Sequence, residues 1–118
     1  PTYAVSKLLK RQNMTLDDMD VIEFHEAFAG QILSNLKALA SDDFAKENLD
    51  RDEAVGEVNM EKFNLWGGSL SIGHPFGATG ARLVTTTANR LIHEKGTYGL
   101  LAACAAGAHG HAMLLKRI

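Results

Sequence analysis

The sequence predicts an α/β domain, with a mixed, mostly parallel sheet covered by helices and closed by a C-terminal antiparallel hairpin. Three observations predict it. Segments of helical period alternate with short apolar segments of strand character. The last two strand-like segments flank a loop of small residues, as hairpin strands do. With 118 residues, 46% of them hydrophobic and 22% charged, the chain can bury about two-thirds of its unfolded surface without disulfides or metal.

The elements follow in order. Over 1–12, Val5, Leu8 and Leu9 recur at helical spacing, Pro1 suits a first turn, and Lys10 and Arg11 sit in the last one. Asn13 ends that pattern, and Thr15 with Asp18 forms a capping signal for one short turn. Residues 21–25 read as a strand. Residues 27–39 read as a helix with Phe28, Ile32, Leu36 and Leu39 on one stripe, weakened slightly by Gly30. The composition then changes: over 41–62, eight acids stand against three bases, so this segment carries −5 and the remainder +3. Its apolar residues keep no sustained period, which predicts a surface excursion with one helical piece. A glycine-bearing strand is expected at 65–72, and a loop at 73–80 leads into a helix at 78–94. Leu83, Val84, Thr87, Ala88, Leu91 and Ile92 are its expected buried side, and Gly96 its stop. Strands at 98–104 and 111–118, joined by a loop at 105–110, complete the chain.

A net charge of −2 and a pI near 6.2 lack the basic face of a nucleic-acid binder. One cysteine, Cys104, excludes a disulfide within the chain and favours a reducing compartment. No apolar run reaches the roughly 18 residues of a membrane span, and no signal core is present. Pro1, rather than methionine, opens the chain at a helix start, which reads as a piece of a longer polypeptide or a processed product.

Three sites fall at the expected carboxyl ends of strands, the edge where open α/β sheets bind ligands. The first is His25-Glu26-Ala27-Phe28. It fails as a HExxH zinc motif because Ala29 stands where the second histidine belongs. The second is Gly73-His74-Pro75. The spacing of Gly73, Gly77 and Gly80 fits neither GxGxxG nor a P-loop, so no nucleotide cradle is indicated. These glycines permit either close approach of a ligand or tight helix–strand packing. The third is Cys104-Ala105-Ala106-Gly107, where small neighbours leave a thiol and the following N–H groups accessible. A thiol beside a histidine becomes useful at neutral pH when its pKa is lowered. His93 is expected on the solvated surface. His109 and His111 flank the hairpin tip, where a single cysteine makes a poor metal site.

The segments HEAFAGQ (25–31), NLWGGSLSIGHPFGATGARL (64–83) and CAAGAHGHAM (104–113), in this order, resemble the C-terminal half-domain of thiolases. HEAF in place of the commoner NEAF, with the acidic excursion after it, is similar to the branch found in trifunctional fatty-acid-oxidation complexes. The resemblance implies cleavage of 3-ketoacyl-CoA by CoA to acetyl-CoA and a shortened acyl-CoA, with CoA a substrate and no cofactor or metal. It implies that His74, Cys104 and His25 are catalytic. His74 would lower the pKa of a nucleophilic cysteine and donate to the thioester oxygen. His25 would occupy the place usually held by an asparagine that positions a water in the same oxyanion hole, and Cys104 would be the acid/base. Phe28 would shape the pocket wall, and Ala106 with Gly107 would meet the substrate, Ala106 N–H in a second oxyanion hole.

The nucleophilic cysteine and the CoA-binding loop domain would then lie outside these 118 residues, and the chain alone would be inactive. The resemblance further implies a homodimer of the full-length enzyme and a complex with a hydratase/dehydrogenase α-subunit, peripheral to a membrane. The compartment would be mitochondrial in a eukaryote and cytoplasmic in a bacterium. Ala108 and His109 depart from the glycine and neutral residue common in relatives, which bears on the hairpin tip. The competing readings are a biosynthetic acetyl-CoA acetyltransferase and a non-catalytic interaction fragment.

Overall fold

Apolar residues at helical spacing place Val5, Leu8 and Leu9 on the buried side of α1 (Thr2–Gln12). Asn13, at φ 53°, ends the helix in the left-handed conformation its short polar side chain tolerates. In the turn that follows, the Asp18 carboxylate accepts from both the N–H and the hydroxyl of Thr15, at 2.7 and 2.9 Å. The computed structural model describes residues 1–118 and continues with β1 (Val21–Phe24), α2 (Ala29–Leu39) and α3 (Asp42–Asn48). After these come α4 (Ser69–Ile72), α5 (Thr79–His93), β2 (Tyr98–Ala105) and β3 (His109–Lys116).

The sheet has the order β1-β2-β3. β1 runs parallel to β2 from Val21↔Gly99 to Phe24↔Ala102, and β2 runs antiparallel to β3 from Tyr98↔Lys116 to Ala105↔His109. It is therefore mixed, as expected, but not mostly parallel, because the strand expected at 65–72 does not form. Asn64 turns the chain at φ 48° and Gly67 at φ 86°, and residues 69–72 close the single helical turn α4. What remains of that strand is one parallel bridge, Ile22↔Phe63. The Asn64 amide prolongs it by bonding both the N–H and the C=O of Phe24, at 2.8 and 3.0 Å. The hairpin turn is shorter than the expected 105–110: pairing reaches Ala105↔His109, leaving Ala106, Gly107 and Ala108 between the strands.

Helices α1 and α2 cover one face of the sheet. There Val5, Leu9, Ile32 and Leu39 pack against Phe24, Leu100 and Ala102 in one core, with Phe63 set edge-on to Phe24. The acidic excursion closes the rim of that core. Ser41 caps α3 by accepting from Phe44 N–H at 3.1 Å, and Val55 and Ala45 are buried. It is thus partly a strap and not wholly a surface loop. α5 covers the other face through Leu83, Thr87 and Leu91. Contact is close because Gly99 has no side chain: a Cβ there would stand 2.4 Å from Thr87 Cγ2. Ile92, expected inside, is exposed, as is Ala88, while Val84 is half-buried. Arg90 is buried instead, bonded to Glu23 of β1 and to Glu94, each at 2.7 Å. One sheet face is all that α5 has to cover, so its apolar stripe is wider than the burial available. No helix is long and apolar enough to cross a membrane.

Candidate active site

His25 follows the last residue of β1, held by its N–H donating to Ala102 C=O at 2.8 Å. Strand alternation turns its ring to the α5 side, where Glu23 also points. His74 comes from the loop between α4 and α5. The two rings lie with centroids 4.2 Å apart, inclined at 41°. The structure thus brings together two histidines that are 49 residues apart in the chain. His25 is buried and His74 exposed.

Each ring is anchored through Nδ1: His25 to Ser69 Oγ at 2.8 Å, and His74 to Thr79 Oγ1. Burial first, then the neighbouring His74 and the Arg82 guanidinium, hold the His25 pKa below the usual imidazole value, against the opposing charge of Glu26. A neutral His25 can donate a hydrogen bond without carrying charge.

Glu26 works as a brace. Its carboxylate accepts from Asn64 Nδ2 at 2.7 Å and from Leu70 N–H at 3.1 Å, tying the end of β1 to the loop that carries Ser69. Gly68 makes this possible, since a Cβ there would stand 2.4 Å from that carboxylate. Arg82 donates to Ser69 Oγ at 2.7 Å and to Gly73 C=O at 2.8 Å. Asn64, Ser69, Thr79 and Arg82 were not among the candidates read from the sequence, and Glu26 was read only within a zinc motif that fails. One signal was available for Arg82: a cation in the first turns of α5 opposes the helix dipole, so it needs acceptors of its own.

Cys104 lies near the end of β2, opposite Gly110 on β3. Alternation puts it on the face of Leu100 and Ala102, the α1 side, and not on that of His25. It lines an open cavity of about 610 Å³ together with Thr2, Gln31, Asn35 and His109, and neither His25 nor His74 lines that cavity. The Gln31 amide there is buried without a partner. The two faces share the carboxyl edge of the sheet, and the remaining candidates gather at that edge. Phe28, 74% exposed, stands at the N-cap of α2. Ala106 and Gly107 are exposed in the hairpin turn, where Ala108 holds φ 59° without being glycine. Phe76, 92% exposed, lies 5.1 Å from the His74 ring. His93 is at the surface, edge-on to Trp66.

An α/β sheet covered by helices on both faces, with paired histidines at its carboxyl edge and a thiol beyond them, defines a class, and comparison with known proteins gives it a name. The family profile described as "Thiolase, C-terminal domain" matches residues 1–117: the chain belongs to the thiolase family, as its C-terminal domain. Within the family it is 61% identical, over 98% of its length, to the mitochondrial trifunctional enzyme subunit beta of Bos taurus, and covers 24% of that protein. It is 60% identical, over 98% of its length, to a probable 3-ketoacyl-CoA thiolase of Caenorhabditis elegans, of which it covers 26%. Among solved structures, human mitochondrial 3-ketoacyl-CoA thiolase superposes on all of the chain with TM-score 0.77 at 30% identity, the match covering 26% of that protein. The chain therefore spans about a quarter of the length of the relatives it matches.

Proposed function

We propose that the chain is the C-terminal catalytic part of a 3-ketoacyl-CoA thiolase acting in fatty-acid β-oxidation, an acyltransferase that works only within a longer polypeptide. The observation that carries this reading is the His25–His74 pair, two imidazole rings with centroids 4.2 Å apart at the carboxyl edge of the sheet. An enolate oxygen forming there would receive two hydrogen bonds in a partly dry site, where preorganised donors are worth most.

In the reaction, a cysteine thiolate from the N-terminal half attacks C3 of the 3-ketoacyl-CoA, and the C2–C3 bond breaks. The electron pair goes to the acetyl-CoA enolate, whose thioester oxygen His25 and His74 stabilise. Cys104 gives its proton to the enolate carbon, releasing acetyl-CoA. The Cys104 thiolate then takes the proton of incoming CoA, whose sulfur attacks the acyl-enzyme thioester. The shortened acyl-CoA leaves and the nucleophilic thiolate is restored. Ala106 N–H, with Gly107 allowing approach, donates to the oxyanion of this second half, and Phe28 walls the acyl site. His25, His74 and Cys104 all lie toward the carboxyl edge of the sheet, and the thioester oxygen and α-carbon they would serve are neighbouring atoms of one substrate, so that edge is where the substrate would have to bind.

The likeness to a trifunctional enzyme beta subunit supports assembly of the full-length protein with an α-subunit; that the α-subunit carries the hydratase and dehydrogenase steps, and that the full-length enzyme is a homodimer, are further parts of the proposal. It also supports a mitochondrial location if the protein is eukaryotic. The test is CoA-dependent loss of a 3-ketoacyl-CoA. The full-length protein should catalyse it and should lose most of it on His74→Ala. The 118-residue chain, with its one cysteine, should show none. A full-length protein without thiolysis, or turnover by the isolated chain, would refute the reading.

A further inference from the structure

We infer that Arg82 and Ser69 are positioning residues that fix the proton of His25 on Nε2, and that Arg82 holds both site histidines with one side chain. The inference rests on the thiolase reading above and adds how its oxyanion donors are set.

It begins with the hydrogens of Ser69. This side chain is buried, and its oxygen has two partners, Arg82 Nη2 at 2.7 Å and His25 Nδ1 at 2.8 Å. A guanidinium can only donate, so Arg82 occupies one lone pair of Oγ. The serine proton has one remaining partner, Nδ1 of His25. Were Nδ1 protonated instead, the hydroxyl hydrogen would be left buried and unpaired, a loss that folded proteins avoid. Nδ1 therefore accepts, and the single proton of the neutral ring lies on Nε2, on the side away from Ser69.

The other half of the fork reaches a different strut. Arg82 Nη1 donates at 2.8 Å to the C=O of Gly73, the residue before His74. One planar guanidinium thus spans the Ser69 hydroxyl that orients His25 and the backbone that carries His74. Its fixed geometry relates the two rings, and a lysine ammonium does not reproduce that fork. The charge has a second effect. The groups facing His25 are His74, Arg82 and Glu26. Arg82 disfavours the imidazolium, which would put a proton on Nδ1 and break the bond from Ser69.

The experiment uses the full-length enzyme, whose wild-type thiolysis is measured first, so that loss of the parent reading is seen separately. Histidine-selective ¹⁵N labelling should show His25 at neutral pH with Nδ1 unprotonated and Nε2 protonated. The same spectrum of Ser69→Ala should show the proton shared between the nitrogens. Arg82→Ala should lower kcat by about 100-fold, the scale of a lost oxyanion donor, and move the acidic limb of the kcat profile to higher pH. Added guanidinium should restore part of the rate, and Arg82→Lys should not match the wild type. A wild-type His25 protonated on Nδ1 would overturn the inference without any variant having to fold. So would an Arg82→Ala enzyme that melts lower but keeps its kcat and its acidic limb.

Discussion

His25 sits one residue past a four-residue strand whose members are all buried, so its backbone has no freedom to drift and its ring is aimed by the sheet. Replacing it tests the donor role directly. His25→Ala should cost about 10²–10³-fold in kcat, as loss of one oxyanion donor does, while KM for the 3-ketoacyl-CoA changes little. His25→Asn, which restores the residue commoner in the family, should recover part of the rate. Steady-state thiolysis by the full-length enzyme decides it: a larger effect on KM than on kcat would make His25 a binding residue. His25, His74 and Cys104, whose roles came from the resemblance, were legible as candidates because each stands where a strand was expected to end. Their supports were not. Ser69, Arg82 and Asn64 act through hydrogen bonds spanning 44, 13 and 40 residues, and no local period encodes such partners.

At the scale of elements, α5 is fixed to β1 by a buried pair, Arg90 with Glu23, 0% and 1% exposed in their side chains. Burial raises the Glu23 pKa, and Arg90 opposes that rise. Removing the cation leaves a buried carboxylate alone, so Arg90→Ala should destabilise the fold by about 3–5 kcal/mol, read as a lower denaturant midpoint. Replacing both partners by leucine should recover much of the loss. The joint between the first strand and β2 is of another kind: Asp20 accepts from the N–H groups of Thr97 and Tyr98 at 2.6 and 3.0 Å. These bonds hold its pKa below the ordinary carboxylate value, with lesser help from Lys62 and Arg117. A depressed carboxylate stabilises the fold above its unfolded pKa, about 3.9, and that contribution is lost as the pH falls below it. Melting temperature should therefore drop more steeply below pH ~4 in the wild type than in Asp20→Asn; parallel curves would deny Asp20 this role. Helix and hairpin periods were readable here, whereas the strand expected at 65–72 was not a strand. Its apolar run is real, but Leu65, Trp66, Leu70 and Ile72 are exposed, and an apolar run reads the same whether its own sheet or another surface covers it.

For the whole molecule, the −5 of residues 41–62 is carried on a strap whose acids face outward while Ala45 and Val55 close the core. The remainder carries +3. Phe28, Leu70, Ile72 and Phe76 are large exposed apolar side chains, Phe76 lying beside His74, as expected if the proposed site is completed by other parts of a longer polypeptide. The proposed acid/base role belongs to Cys104. Its most direct test is thiolysis of a 3-ketoacyl-CoA by the full-length enzyme carrying Cys104→Ala. There kcat should fall by about 10²–10⁴-fold, the contribution of a positioned acid/base, while the nucleophilic cysteine still alkylates at the wild-type rate. An unchanged kcat would contradict it.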